Sequence, residues 1–187
     1  MKKISFISLA LVFIGLIPLH GQIYYTKTGV VNFEASSPLE KIEAVAKSAN
    51  CVLNAESGAV EMAVLIKSFN FDKALMQEHF NENYLESTKF PKAIFKGTIS
   101  NIKEIQFLKD GKYKGNFEGK ITIHGVTKSV DNVVNFRVSG GKITADTDFN
   151  LTVGDFDISI PSLVSDKVAK TAKVTIQVEL QELKKSQ

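Results

Sequence analysis

Along most of this chain apolar and polar residues alternate with a period of two, the spacing of a strand that buries one face and wets the other. From Ala59 to Lys67, Val60, Met62, Val64 and Ile66 share one face, while Glu61, Ala63, Leu65 and Lys67 share the opposite one. The rhythm recurs with Phe117, Ile121 and Ile123 beside Gly115 and Gly119, against Asn116, Glu118, Lys120 and Thr122. It continues through Val130, Val134, Phe136 and Val138, through Ile143, Ala145, Phe149 and Leu151, and through Val174, Ile176, Val178 and Leu180. Strands are also expected around Gly29 to Ala35, Ser48 to Asn54 and Ala93 to Ile102, about eight in all, with Gly140-Gly141 as a hairpin turn.

One segment departs from this pattern. After Asp72, the expected N-cap, Met76, Phe80 and Tyr84 fall at i, i+4 and i+8 with Leu75 and His79 beside them, as on one face of a helix. A helical insertion over about residues 72–86, ended by Pro91 and laid across the strands, is therefore predicted. The fold class is mainly all-β and antiparallel, a barrel or a sandwich. A membrane-spanning barrel alternates in the same way, but it needs aromatic girdles, and the chain has 4 Tyr and no Trp. The bulk lies in phenylalanine, 13 in the whole chain, several on the same faces as Val, Ile and Met. A water-soluble barrel or sandwich whose interior is filled or lined by these rings is the preferred reading.

The chain opens Met1-Lys2-Lys3, runs almost wholly apolar from Ile4 to Leu19, and closes on His20-Gly21, the form of a cleavable secretory signal over residues 1–21. The apolar run is shorter than the roughly 20 residues of a membrane span, so a stable span after signal removal is not expected. Residues 22–187 have the length of one domain. Cys51 is the single cysteine, so no intramolecular disulfide is available; its alternation with Ala49 and Leu53 marks a small buried thiol. The formal charge of +3 falls to +1 without Lys2 and Lys3, and Arg137 is the one arginine, which argues against a nucleic-acid partner.

Catalytic chemistry finds few candidates. No nucleophile elbow, phosphate loop or His-Glu-x-x-His helix is present, and with only His79 and His124 beyond the leader no metal site is expected. His79 on the helix and His124 at a strand-to-turn junction are the available bases; structural roles in the helix face and in the turn are the simpler accounts. Asp146 and Asp148 share an exposed strand face, and Asp155 and Asp157 flank Phe156, neither pair suiting an acid/base dyad or an EF-hand loop. No cofactor is implied. What remains is the apolar interior, which in a barrel of about eight strands is either filled by side chains or holds one slender ligand. Gly97, Gly115, Gly119 and Ala145 either leave room for such a guest or permit tight barrel corners.

Three stretches resemble the YceI-like family of secreted bacterial proteins. Phe69-Asn70-Phe71 through Leu75–Glu86 and Lys89–Gly97 is similar to the family's strand, helical insertion and Phe-bearing strand. Gly119–Lys128, with Ile123-His124-Gly125-Val126, is similar to its characteristic hairpin, and Val164–Val168 to the lead into its last strand. The resemblance implies a lipocalin-like barrel with an apolar tunnel that binds a polyisoprenoid, an isoprenoid quinone or another long-chain lipid in the periplasm or outside the cell, without catalysis. Two departures stand out: Val153-Gly154-Asp155-Phe156-Asp157 replaces the family's Arg-x-Asp-Phe-Gly, and the opening strand reads Gly29-Val30-Val31-Asn32-Phe33. The lining expected for such a tunnel is Phe33, Val60, Met62, Val64, Ile66, Phe95, Ile121, Ile123, Phe136, Phe149 and Leu151, with Met76, His79, Phe80, Tyr84 and His124 at the mouth or helix. The alternatives are a structural or interaction barrel with a filled interior, and an envelope enzyme using His79 or His124. The sequence leaves a homodimer open.

Overall fold

A computed structural model describes residues 22–162 and 168–184, so the leader and Val164–Lys167 lie outside the described residues. The strands are β1 (Ile23–Glu34), β2 (Glu43–Asn54), β3 (Ala59–Leu65), β4 (Asn70–Phe71), β5 (Lys92–Ile99), β6 (Gly111–Ile123), β7 (Val126–Ser139), β8 (Lys142–Thr152) and β9 (Thr171–Glu182). All neighbours are antiparallel in the order β1-β9-β8-β7-β6-β5-β3-β2, and β1 pairs with β2 to close eight strands into a barrel. The two-residue β4 pairs with β2 at Ala44 and Val45.

Turn chemistry sets the hairpins. Gly140 and Gly141 take φ of +57° and +79°, the double left-handed pair of a type I′ turn, which returns β7 onto β8 in the twist that paired strands require. His124 and Gly125 do the same between β6 and β7, at φ of +50° and +77°. The β7–β8 ladder is short, running from Asn135↔Asp146 to Ser139↔Lys142. Beyond it the gap between the strands is spanned by side chains: Asn132 Nδ2 donates to the Asp148 carbonyl (2.8 Å) and to Thr147 Oγ1 (3.0 Å).

The alternating apolar residues point inward as the period of two predicts. Tyr24, Leu53, Ile99, Phe107, Phe136, Val138, Ile143 and Leu180 pack one end of the barrel. Cys51 is buried among them, and burial pushes its thiol up to about 12, favouring the neutral form.

The opposite end is covered by the predicted insertion. It begins one residue later than the expected Asp72 cap: the Lys73 carbonyl accepts from Met76 and Gln77, and no side chain caps the helix. Helix α1 (Ala74–His79) then passes into one π-helical turn (Phe80–Tyr84). No residue of α1 is itself buried; Phe80 and Leu85 supply the anchorage. The Phe80 ring sits in a nest of Phe33, Phe69 and Phe71, with centroids at 5.5, 5.6 and 4.9 Å. Among the described residues no helix is long and apolar enough to cross a membrane.

Candidate functional site: an apolar cavity under a helical lid

Between the lid and the packed end lies a cavity of about 420 Å³, within the range of small-molecule sites. Its walls are built by the inward residues of the barrel: Phe33 from β1, Met62 and Val64 from β3, Phe95 from β5, Ile121 and Ile123 from β6, Phe149 and Leu151 from β8. Ile66 follows β3, and Met76, His79, Phe80 and Tyr84 face the cavity from the lid. Val31, Ala93, Val174 and Ile176 complete the same strand faces and were legible in the alternation, although they were not counted among the expected lining. The loop residues Glu40, Ile42, Phe156, Ile158 and Ile160 also line it; Phe156, Ile158 and Ile160 alternate with Asp157 and Ser159, but the sequence reading did not count them among the lining.

Three residues expected in the lining or at the mouth lie elsewhere. Val60 and Phe136 face a second, smaller cavity of about 60 Å³ toward the packed end, because they sit deeper along their strands than the large cavity reaches. His124 is turned outside the lining. Its left-handed turn directs the ring sideways, where Nδ1–H donates to the Phe156 carbonyl (3.0 Å) and Nε2 lies 2.7 Å from Glu86 Oε2. Phe90 meets the imidazole edge-on at 4.7 Å. His124 thus joins three loops, those after the lid, between β6 and β7, and after β8.

The small residues resolve an open question from the sequence. A Cβ on Gly97 or Gly119 would meet the Cζ of Phe117 at 2.6 Å, and one on Gly115 would meet Ile99 and Phe136 at 2.9 Å. These glycines admit close approach of strands and rings; none of them lines the large cavity. Ala145 lines the smaller one.

All three non-glycine residues with positive φ among the described residues, Glu86 (+42°), His124 (+50°) and Asp157 (+55°), belong to or adjoin this same junction. Asp157 stands where the family motif has glycine, and its left-handed backbone explains that preference: glycine adopts it without a Cβ penalty. Asp157→Gly is therefore expected to stabilise the protein, by up to about 1 kcal/mol after the entropy cost of glycine is deducted. Urea denaturation checks this, and an unchanged or lowered midpoint would show that the Asp157 conformation is unstrained. Val153, the first residue of the stretch that departs from the family motif, lines the cavity as an apolar wall. Among the described residues the lining contains no Lys or Arg; its polar members are Glu40, His79 and Tyr84. Lys73 reaches the rim but is held by Glu40 at 2.6 Å. No three His, Cys, Asp or Glu side chains gather as a metal site among the described residues.

A closed antiparallel barrel with an apolar chamber under a helix defines the class of ligand-holding barrels. Within that class the chain belongs to the YceI-like family, whose domain profile matches residues 20–180. Solved structures of the same fold include a polyisoprenoid binding domain from Saccharophagus degradans implicated in plant cell wall breakdown, with a TM-score of 0.76 and 11% identity over 88% of this chain and 100% of that one. Burkholderia cenocepacia BcnA gives a TM-score of 0.67 and 16% identity over 82% of this chain and 96% of its own. A mutant of the Campylobacter jejuni YCEI protein with a monobromobimane guest gives 0.52 and 17% identity, over 99% and 92%. No curated protein matches the sequence.

Proposed function

We propose that this protein binds a long-chain apolar lipid, of the polyisoprenoid or isoprenoid quinone type, in the chamber beneath its lid, and sequesters or carries it without catalysis. The observation that carries this reading is the chamber itself: about 420 Å³ of space walled by aliphatic and aromatic side chains. Burying an apolar tail there yields roughly 25 cal/mol per Å² removed from water, with no covalent chemistry required. The binding chemistry named for the Saccharophagus domain agrees with it. A lining without Lys or Arg among the described residues favours an uncharged head, an alcohol or a quinone, over a diphosphate. The leader-like residues 1–21 support work in the periplasm or outside the cell, with residues 22–187 as one domain. The reading of a structural barrel with a filled interior is disfavoured by the chamber's size.

Native mass spectrometry on the mature protein, purified without detergent from its own host's envelope and then extracted with organic solvent, tests the reading. A stoichiometric long-chain lipid is the expected result. A protein that arrives empty and also refuses added prenols and quinones would return the barrel to a structural or interaction role.

A further inference from the structure

The large cavity does not run into the packed end; it stops on a partition, and space resumes on the other side. Met62, Phe95 and Ile176 are the residues common to the two cavities, and they come from three strands, β3, β5 and β9. Met62 and Phe95 are direct cross-strand partners, so the partition on that wall is a single rung of the sheet. The Phe95 ring is stacked on Phe117 at 4.0 Å and 23° between planes. Phe117, 1% exposed, is in turn laid over the facing pair Gly97↔Gly119. Phe95 therefore cannot retreat toward its own wall. Below it lies the chamber of about 60 Å³, lined mainly by apolar side chains, Leu53, Ile99 and Leu180 among them, with Asp146 and Thr147 on the β8 side.

We infer that Phe95, with Met62 and Ile176, is a length-determining floor: it ends the space open to an apolar tail and so sets which chain lengths the protein accepts. The inference rests on the lipid-binding reading above and adds the residue that decides among lipids of one class. An end-on tail that reaches the rigid ring either stops there or must leave its last isoprene units in water, so affinity ceases to rise with length at that point. Removing the ring joins the two chambers and lengthens the accepted tail. Phe117 stays in place on its glycine pair, so the barrel wall is retained.

The test is native mass spectrometry of the mature protein with a ladder of all-trans prenols that lengthens one isoprene unit at a time from farnesol to solanesol. For the wild type, bound fraction is expected to rise with length and then break. In Phe95→Ala the break moves to a longer prenol by one unit or more. Ile176→Ala, which opens the same partition from the other wall, moves it in the same direction and serves if the first variant folds poorly. Ala145→Val, placed in the lower chamber alone, leaves the wild-type profile unchanged but cancels the shift when combined with Phe95→Ala. Prenols that bind with the same break in wild type, Phe95→Ala and Ile176→Ala overturn the floor while leaving the lipid-binding reading intact. Failure of the wild type to take up any prenol overturns both.

Discussion

Gly119→Ala is expected to lower the stability of the barrel by about 3 kcal/mol or more, at or beyond the upper end of ordinary overpacking. Gly119 faces Gly97 across the β5–β6 ladder, and a Cβ on it would stand 2.3 Å from the Lys96 carbonyl oxygen, 2.7 Å from the Gly97 Cα and 2.6 Å from Phe117 Cζ. Two of these contacts are backbone, so no rotamer change relieves them. The third is a ring that is 1% exposed and stacked on Phe95. Relief demands that β5 and β6 part at this rung, or that Phe117 be driven into the cavity floor. Urea denaturation followed by far-ultraviolet circular dichroism measures the effect, with a lowered midpoint and an unchanged m-value expected. A loss below about 1 kcal/mol would mean that the strands relax cheaply and that the glycine pair is not a fixed point of the wall.

The second large effect belongs to the lid. Phe80→Ala removes a ring that is 7% exposed and surrounded by Phe33, Phe69 and Phe71, and substitutions of this kind cost about 3–5 kcal/mol in a well-packed core. The loss should not spread evenly. Because no residue of α1 is buried, Phe80 and Leu85 are the apolar anchors of the whole insertion, and the strands beneath it are held by their own ladders. Amide hydrogen exchange is expected to rise across residues 74–85 while β6 and β7 keep their protection. Bound lipid, where present, should also exchange faster through the loosened cover. Exchange that rises equally through lid and barrel would sink the picture of a lid anchored by Phe80 and Leu85 apart from the strands beneath it.

Both variants probe features that the linear sequence indicated unequally. The strand faces were readable because inward and outward side chains alternate along most strands, so Met62, Val64, Ile121, Phe149 and Leu151 could be assigned to the interior without any contact being known. The lid was readable because Met76, Phe80 and Tyr84 repeat at helical spacing within a chain that otherwise repeats at two. Its start was missed by a residue, since Asp72 has the chemistry of a cap but the first helical bonds go to the Lys73 carbonyl. His124 illustrates the other limit. Its place in a turn was legible from Ile123-His124-Gly125-Val126, yet its partners Glu86 and Phe156 lie 38 and 32 residues away and no periodicity connects them.

Depth is what a period of two does not encode. Alternation says which face of a strand turns inward, and it says so equally for Val60 and Val64 or for Phe136 and Phe149. Which of each pair meets the large cavity depends on the register of every neighbouring strand and on which interior bulk arrives at that level from across the barrel. The same holds for the glycines: Gly97 and Gly119 read as small inward positions, and only their pairing and the Phe117 ring laid over both decided that they bring strands together without opening space. The sequence by itself determined antiparallel strands with their inward faces and a helical cover, and through its motifs the family and its barrel, because these depend on local period and motif. The chamber, the partition through Phe95 and the corner at His124 were decided by tertiary structure, because volume and contact arise only when strands distant in the chain stand side by side.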